Sequence, residues 1–439
     1  CLMVYSYWVF PKVTESQLKK FFTAVTSEPI PIPLEIMESV RSEVLNYPYY
    51  RRSLGLPEPW LTYQGSPSKK APMVEGKSVP QDSFILDEIS NLINPQNLSL
   101  FHRYRRLFDS LLTGFPGIRS WFSVTQKSMF PPLSGKIAFI QEPGGKLRSV
   151  ASPFRIFQRV LQPLSDTLYQ VVQSCPWDCT FDQTKAFHPV QSSIASGKLV
   201  HSIDLSSFTD YFPIDLQIEV LNGFIQKEDS DYGRLWVELC KGSWILPDNR
   251  EIRWRRGQPL GMLPSFAIAT LTHGFLLKSL LARPWNGEFF VLGDDVVILD
   301  DILHSKYIKA LSLLGCPYSP EKTLSSSALA EFAGKIITSN GVIPQMKWRS
   351  ISDENFLDLC RSLGPRIYPL LRPKQKKVYK LVCNLLEPFG LNFSKPGDNW
   401  VKMYIRTLDS VFGRQVKSNP PSLMGLRRKI HSSLYDDRS

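Results

Sequence analysis

The sequence predicts an α+β fold of two or three lobes, and three observations predict it. Strand-like patterns are densest between residues 198 and 300, whereas residues 1–130 and the stretch after about 340 read as helical patches. The apolar positions in Leu199 to Ile203 favour a strand that ends on Asp204, and Pro213 then suits the start of a helix. Two four-residue apolar runs flank Gly293-Asp294-Asp295, the pattern of a tight β-hairpin with acids at its tip. At 439 residues the chain also exceeds the size at which a single core keeps growing, about 250–300 residues.

From the start of the chain, the first ten residues are apolar, but a membrane-spanning helix needs ~20. They lack a basic flank and a small-residue cleavage site, so no signal peptide and no transmembrane segment are expected. The chain begins at Cys1, the start expected of a fragment. Pro-rich stretches at 29–33 and 57–80 interrupt the first helical patches, and the second reads as an exposed linker. A basic strand–turn–helix follows at 136–160, with Lys146 and Arg148 after Gly144-Gly145, then Arg155 and Arg159. Beyond the central block the chain is basic and helical, and Tyr368, Tyr379, Trp400 and Tyr404 are interleaved with its charges.

The net charge of +12 and pI near 9.3 call for an anionic partner, either nucleic acid or an acidic membrane surface. Among the seven Cys, Cys175 and Cys179 have C-x3-C spacing, but no second Cys or His pair completes a zinc site. They read as buried free thiols of a reducing compartment.

The acids carry the chemistry. Carboxylates set between apolar strands are electrostatically poor unless a cation offsets them. Mg2+ suits such a place, with Mn2+ as the alternative, because it takes a few carboxylates and keeps positions for phosphate oxygens. If the strand ending at Asp204 pairs beside the hairpin, Asp204 and Asp294 can share two ions ~3.5–4 Å apart, the arrangement for in-line phosphoryl transfer. Each motif alone has a plainer reading. Gly-Asp-Asp is also a common turn, and Asp204 is also a candidate helix N-cap, with Ser206 and Ser207 competing.

Between these acids, Gly257-Gln-Pro-Leu-Gly261 leads into a long apolar stretch containing Ser265. Such a loop lets backbone N–H groups approach a nucleotide or template, or it is simply a turn into a core helix. The basic turn at Lys146 and Arg148 can grip a triphosphate or stand as a solvated surface turn. Lys322, in Ser319-Pro-Glu-Lys-Thr323, could protonate a leaving pyrophosphate, though it is also an ordinary surface lysine.

Taken in order, these segments resemble the RNA-dependent RNA polymerases of the narnavirus, ourmia-like virus and mitovirus group. The resemblance rests on Gly145-Lys146-Leu-Arg148, Asp204-Leu-Ser-Ser-Phe-Thr-Asp210, Gly257 to Gly261, Gly293-Asp294-Asp295, Ser319 to Thr323 and Glu331-Phe-Ala-Gly-Lys335. It implies a right-hand fold: residues 1–130 as N-terminal region and part of the fingers, 131–198 as fingers, 199–340 as palm and 341–439 as a helical basic thumb. It implies a mycovirus-type protein acting on single-stranded RNA template, RNA product and ribonucleoside triphosphates. Asp204 and Asp294 would bind the metals and Asp295 would complete their site. Lys322 would donate a proton. Lys146, Arg148 and Arg155 would hold phosphates, and Gly257 would lie at the nucleotide. Asp210, with Ser265, would recognise the ribose.

Two features depart from the wider viral pattern. Asp210 follows Asp204 by six residues where many viral polymerases have five, which leaves open whether Thr209 or Asp210 faces the ribose. Ala269 stands where an Asn is often found. Replication in the host cytoplasm is expected, with the mitochondrion as the alternative, and the oligomeric state is left open.

Three rival classes answer to parts of the sequence. A reverse transcriptase would share the acids, but it usually places a bulky aromatic near position 209; Phe208 is adjacent. A non-catalytic RNA-binding protein, such as a decayed polymerase copy integrated in a host genome, would explain the charge and the absent Met. It would not explain three intact acids. A membrane-surface structural protein is supported by charge alone.

Overall fold

The computed structural model describes residues 13–58, 61–62, 73–74, 77–78, 81–82, 94–112, 130–142, 146–344, 368, 371 and 373–382. Helices α1 (Glu15–Val25), α2 (Leu34–Leu45), α3 (Pro95–Arg103) and α4 (Arg105–Leu112) precede a long hairpin of β1 (Leu133–Glu142) and β2 (Lys146–Pro153). Next come α5 (Arg155–Val160), α6 (Gln162–Ser174), α7 (Phe187–Ala195), β3 (Val200–Asp204), α8 (Phe208–Tyr211), α9 (Ile214–Phe224) and α10 (Ser230–Cys240). Strands β4 (Ser243–Ile245) and β5 (Glu251–Ile252) lead to α11 (Ser265–Leu281), and β6 (Phe289–Leu292) and β7 (Asp295–Ile298) to α12 (Asp301–Leu313). The central block closes with β8 (Leu324–Ser326), β9 (Leu329–Phe332), β10 (Lys335–Thr338) and β11 (Gly341–Pro344); α13 (Pro373–Val382) follows.

The sheet that matters for function is antiparallel, in the order β6-β7-β3-β8. Its two hairpin strands, β6 and β7, are apolar but for Asp295, because both of their faces are covered. Phe289, Val291, Val296, Ile298 and Ile203 pack into the main core beside α11 and α12. Phe290, Val297 and Val200 alternate to the opposite face and join Val190, Ile194, Phe332 and Ile337 in a second core. Helix α11 is buried on nearly every side, which accounts for its mostly apolar sequence.

A second sheet, β2-β1-β4-β5, carries the basic element. The segment expected as strand–turn–helix is two strands and a helix: Lys146 to Pro153 pair back along Gly135 to Glu142 before α5 begins. The expected linker at 57–80 lies largely outside the described residues, and two short ladders within or beside it pair 61–62 with 81–82 and 73–74 with 77–78.

Lys12–Glu142 and Lys146–Ile343 form one compact unit, and Pro344–Ser439 belongs to another. In the latter, Tyr368 packs 5.3 Å from the Tyr379 ring, and the Lys376 and Lys380 ammonium groups stand 5.6 and 5.8 Å from the Tyr368 centroid. Trp400 and Tyr404 lie outside the described residues. Cys175, Cys179, Cys240 and Cys316 are buried free thiols, and burial pushes Cys175 and Cys179 up to about 12. Among the described residues no helix is long and apolar enough to cross a membrane.

Candidate active site

Strand pairing brings the acids together. Asp204 ends β3, and the antiparallel register with β7 sets it directly opposite Asp295, with Asp294 one residue back in the turn. Asp295, not Asp294, is therefore the cross-strand partner of Asp204. Gly293 makes the turn possible with φ +62°, where a Cβ would also stand 2.9 Å from the Phe266 ring.

Residues 317–323 are folded onto the same strand end. Ser206 N–H donates to the Pro317 carbonyl at 2.9 Å, and Ser319 N–H donates to the Asp204 carbonyl at 2.8 Å. Lys322 Nζ thereby reaches Asp204 Oδ2 at 3.1 Å. Carboxylates directly opposite one another repel, and Lys322 offsets part of that charge. The hard oxygen donors of Asp204, Asp295 and the exposed Asp294 suit a divalent cation in their chemistry. Among the described residues, no group of three or more His, Cys, Asp or Glu is arranged to hold a metal ion.

The Gly257–Gly261 loop is a close-approach element. A Cβ on Gly257 would collide with the carbonyls of Thr209 and Asp210, and one on Gly261 with that of Ala151. Gln258 N–H donates to Thr209 O at 2.8 Å, and its buried amide donates to Ser265 O at 3.0 Å. The loop thus ties the segment after Asp204 to the first turn of α11. Its glycines contact protein backbone here.

The remaining expected residues are placed unevenly. Asp210 accepts the Trp254 indole N–H at 2.8 Å, and burial pushes its carboxyl up to about 6 against that bond. Ser265 is 1% exposed, with Trp236 Nε1 3.5 Å from its hydroxyl, so the structure does not bring that hydroxyl to open surface. Arg148 is exposed on β2 and Arg155 is buried at the start of α5. Lys146 opens β2; its side chain and the Gly144-Gly145 turn lie outside the described set. Phe208, the aromatic beside position 209, is 8% exposed and packs 4.6 Å from Phe212 and 5.3 Å from His273. It serves the core.

Sequence reasoning missed Trp254 and the pair Thr270 and His273. Trp254 carries no local signal, because its partner is 44 residues away. Thr270 and His273 do carry one: they are polar residues three apart in a mostly apolar helix, both meeting Gly293.

An antiparallel sheet clad by helices, with acids at a hairpin tip beside an acid-ended strand, defines the palm of the right-hand polymerase class. The sequence model described as mitovirus RNA-dependent RNA polymerase matches residues 64–387. The chain belongs to that family. It is similar to the RNA-directed RNA polymerase of Cryphonectria parasitica mitovirus 1, 29% identical over 260 residues that span 57% of this chain and 31% of that protein. The match thus covers about a third of that relative's length. An uncharacterized mitochondrial protein of Arabidopsis thaliana is 30% identical over 158 residues, 34% of this chain and 76% of that one. Among solved structures, the RNA-dependent RNA polymerase of a human picorbirnavirus aligns with TM-score 0.49 and 12% identity, over 96% of this chain and 78% of that one.

Proposed function

We propose that the chain is the catalytic body of a viral RNA-dependent RNA polymerase that copies single-stranded RNA from ribonucleoside triphosphates. The observation that carries the reading is the register that opposes Asp204 to Asp295 beside Asp294, with Lys322 on Asp204. Asp204, Asp294 and Asp295 would hold Mg2+ or Mn2+, which when bound offsets their charge and polarises phosphate oxygens.

In the reaction the 3′-hydroxyl of the growing RNA gives up its proton to solvent as its oxygen bonds to the α-phosphorus, and the bond from that phosphorus to the oxygen bridging to the β-phosphate breaks. Lys322 donates a proton to the leaving pyrophosphate. Lys146 and Arg148 draw in the triphosphate, with Arg155 behind them bracing the base of that element. Asp210 accepts a ribose hydroxyl, Ser265 supports the loop behind it, and Gly257 keeps that loop against residues 209–210. The proposed layout is fingers before about residue 198, palm to about 340, and a basic thumb beyond. α13 supports the thumb assignment, since its lysines suit sequence-independent phosphate contacts. Mitochondrial replication is favoured over cytoplasmic, because two relatives are named mitochondrial proteins and a third belongs to a mitovirus.

Phe208 speaks against the reverse-transcriptase alternative, because its ring packs in the core and does not stand guard over a ribose. Extension of a primer on an RNA template, with ribonucleotides in one arm and deoxynucleotides in the other, tests the reading. Extension with ribonucleotides alone is expected; equal use of deoxynucleotides would contradict it.

A further inference from the structure

Two of the polar side chains on α11, Thr270 and His273, end on the acidic turn. Gly293 N–H donates to Thr270 Oγ1 at 3.2 Å, and His273 Nδ1 lies 2.8 Å from Gly293 O. Both backbone groups of the glycine before Asp294 are therefore held by one helix. The bond directions follow from the partners. A carbonyl only accepts, so His273 carries its proton on Nδ1, and its Nε2 accepts from the Tyr307 hydroxyl at 2.7 Å. The single hydroxyl proton of Thr270 goes to Asp178 Oδ2 at 2.9 Å, leaving an oxygen lone pair for Gly293. Asp178 Oδ1 receives Thr180 N–H at 2.8 Å, so both oxygens meet donors, as fits an ionised carboxylate.

Backbone bonds anchor the same group to the hairpin. Cys179 N–H donates to Val291 O at 2.9 Å, and Val291 N–H donates to Trp177 O at 3.0 Å, which lays Asp178 along β6. Asp178 is 3% exposed, Thr270 1%, and His273 and Tyr307 are fully buried. Burying such groups is costly unless each finds a partner. Here every partner chain leads to one peptide turn.

We propose that Asp178, Thr270, His273 and Tyr307 are positioning residues that fix the Gly293 peptide planes and thereby the place of Asp294. The inference rests on the polymerase reading. All four act through the turn, from behind it.

The test is single-ribonucleotide addition by the purified full chain, with kcat and nucleotide KM measured separately and thermal melts run on every variant. Thr270→Val is expected to lose about 10–100-fold in kcat with KM held within about threefold, and Thr270→Ser to restore most of the loss. Thr272→Val removes an equally buried hydroxyl, one that bonds back to Ile268 O at 2.7 Å; it is expected to stay within about threefold of wild type. A folded Thr270→Val with wild-type kcat, or an equal loss in Thr272→Val, overturns the inference and leaves the polymerase reading standing. If Thr270→Val does not fold, Tyr307→Phe decides, with lowered kcat expected and unchanged kcat overturning. A wild type that never extends RNA sinks both.

Discussion

The molecule contains two hairpins of opposite character. The acidic hairpin, β6–β7, has four-residue strands buried on both faces, with Phe290 2% and Val297 0% exposed, and its turn glycine is bonded to α11 through both backbone groups. The basic hairpin, β1–β2, has strands of ten and eight residues, and towards its turn Ile140 is 49% exposed and Arg148 lies at the surface. A carboxylate that orients reacting atoms must stay in place, because small misplacements of such groups are expensive in rate. An arginine that gathers a charged, flexible triphosphate works at the surface on a mobile side chain. The burial of each hairpin matches the task proposed for it.

The comparison is broken most severely by cutting into the acidic hairpin's support. Phe290→Ala is expected to cost about 3–5 kcal/mol in urea denaturation, as buried Phe truncations do. A cost below ~1 kcal/mol would mean that the second core does not hold the sheet. On the basic hairpin, Arg148→Ala is expected to raise the nucleotide KM about tenfold while kcat changes little, the loss of one charge-assisted contact. A fall in kcat with KM unchanged would assign Arg148 to the chemical step.

A subtler change lies between the two hairpins, at Asp210. Its folded-state pKa of about 6 stands above the ordinary value of 3.8. Between these values the folded chain keeps a proton that the unfolded chain has lost, so the contribution of Asp210 to stability declines as pH rises through that window. If the ionised form accepts the ribose hydroxyl, the pH–rate profile has an acid limb near 6. Trp254→Phe removes the N–H that lowers this pKa and is expected to move the limb upward; a downward move would contradict the assignment. The smallest effect is expected at Ile140→Ala, within about 0.5 kcal/mol of wild type by the same denaturation.

What was legible in the sequence was local. The strand ending at Asp204, the hairpin at 289–299 and the long apolar helix after the glycine loop all stand where their patterns put them. So does the order of motifs that marks the family. Long-range pairing was not legible. No pattern along the chain shows that Asp295 opposes Asp204, that residues 317–319 fold back on the chain around Asp204, or that Trp254 reaches Asp210. In the basic element, read as strand, turn and helix, residues 146–153 form a second strand between the turn and the helix. Ser265 was visible as a polar residue near the loop, but its burial beneath Trp236 and Gln258 depends on three separate elements meeting.

The central claim is that RNA synthesis takes place at the acidic turn, and Asp294→Asn tests it most directly. The substitution keeps the shape of the side chain and removes its charge. Wild type and variant would be compared in primer extension on an RNA template with ribonucleotides and Mg2+. Extension by the wild type and a loss of at least about 100-fold in a variant that melts normally is the predicted result. Equal extension by the two proteins would place the chemistry somewhere other than this hairpin.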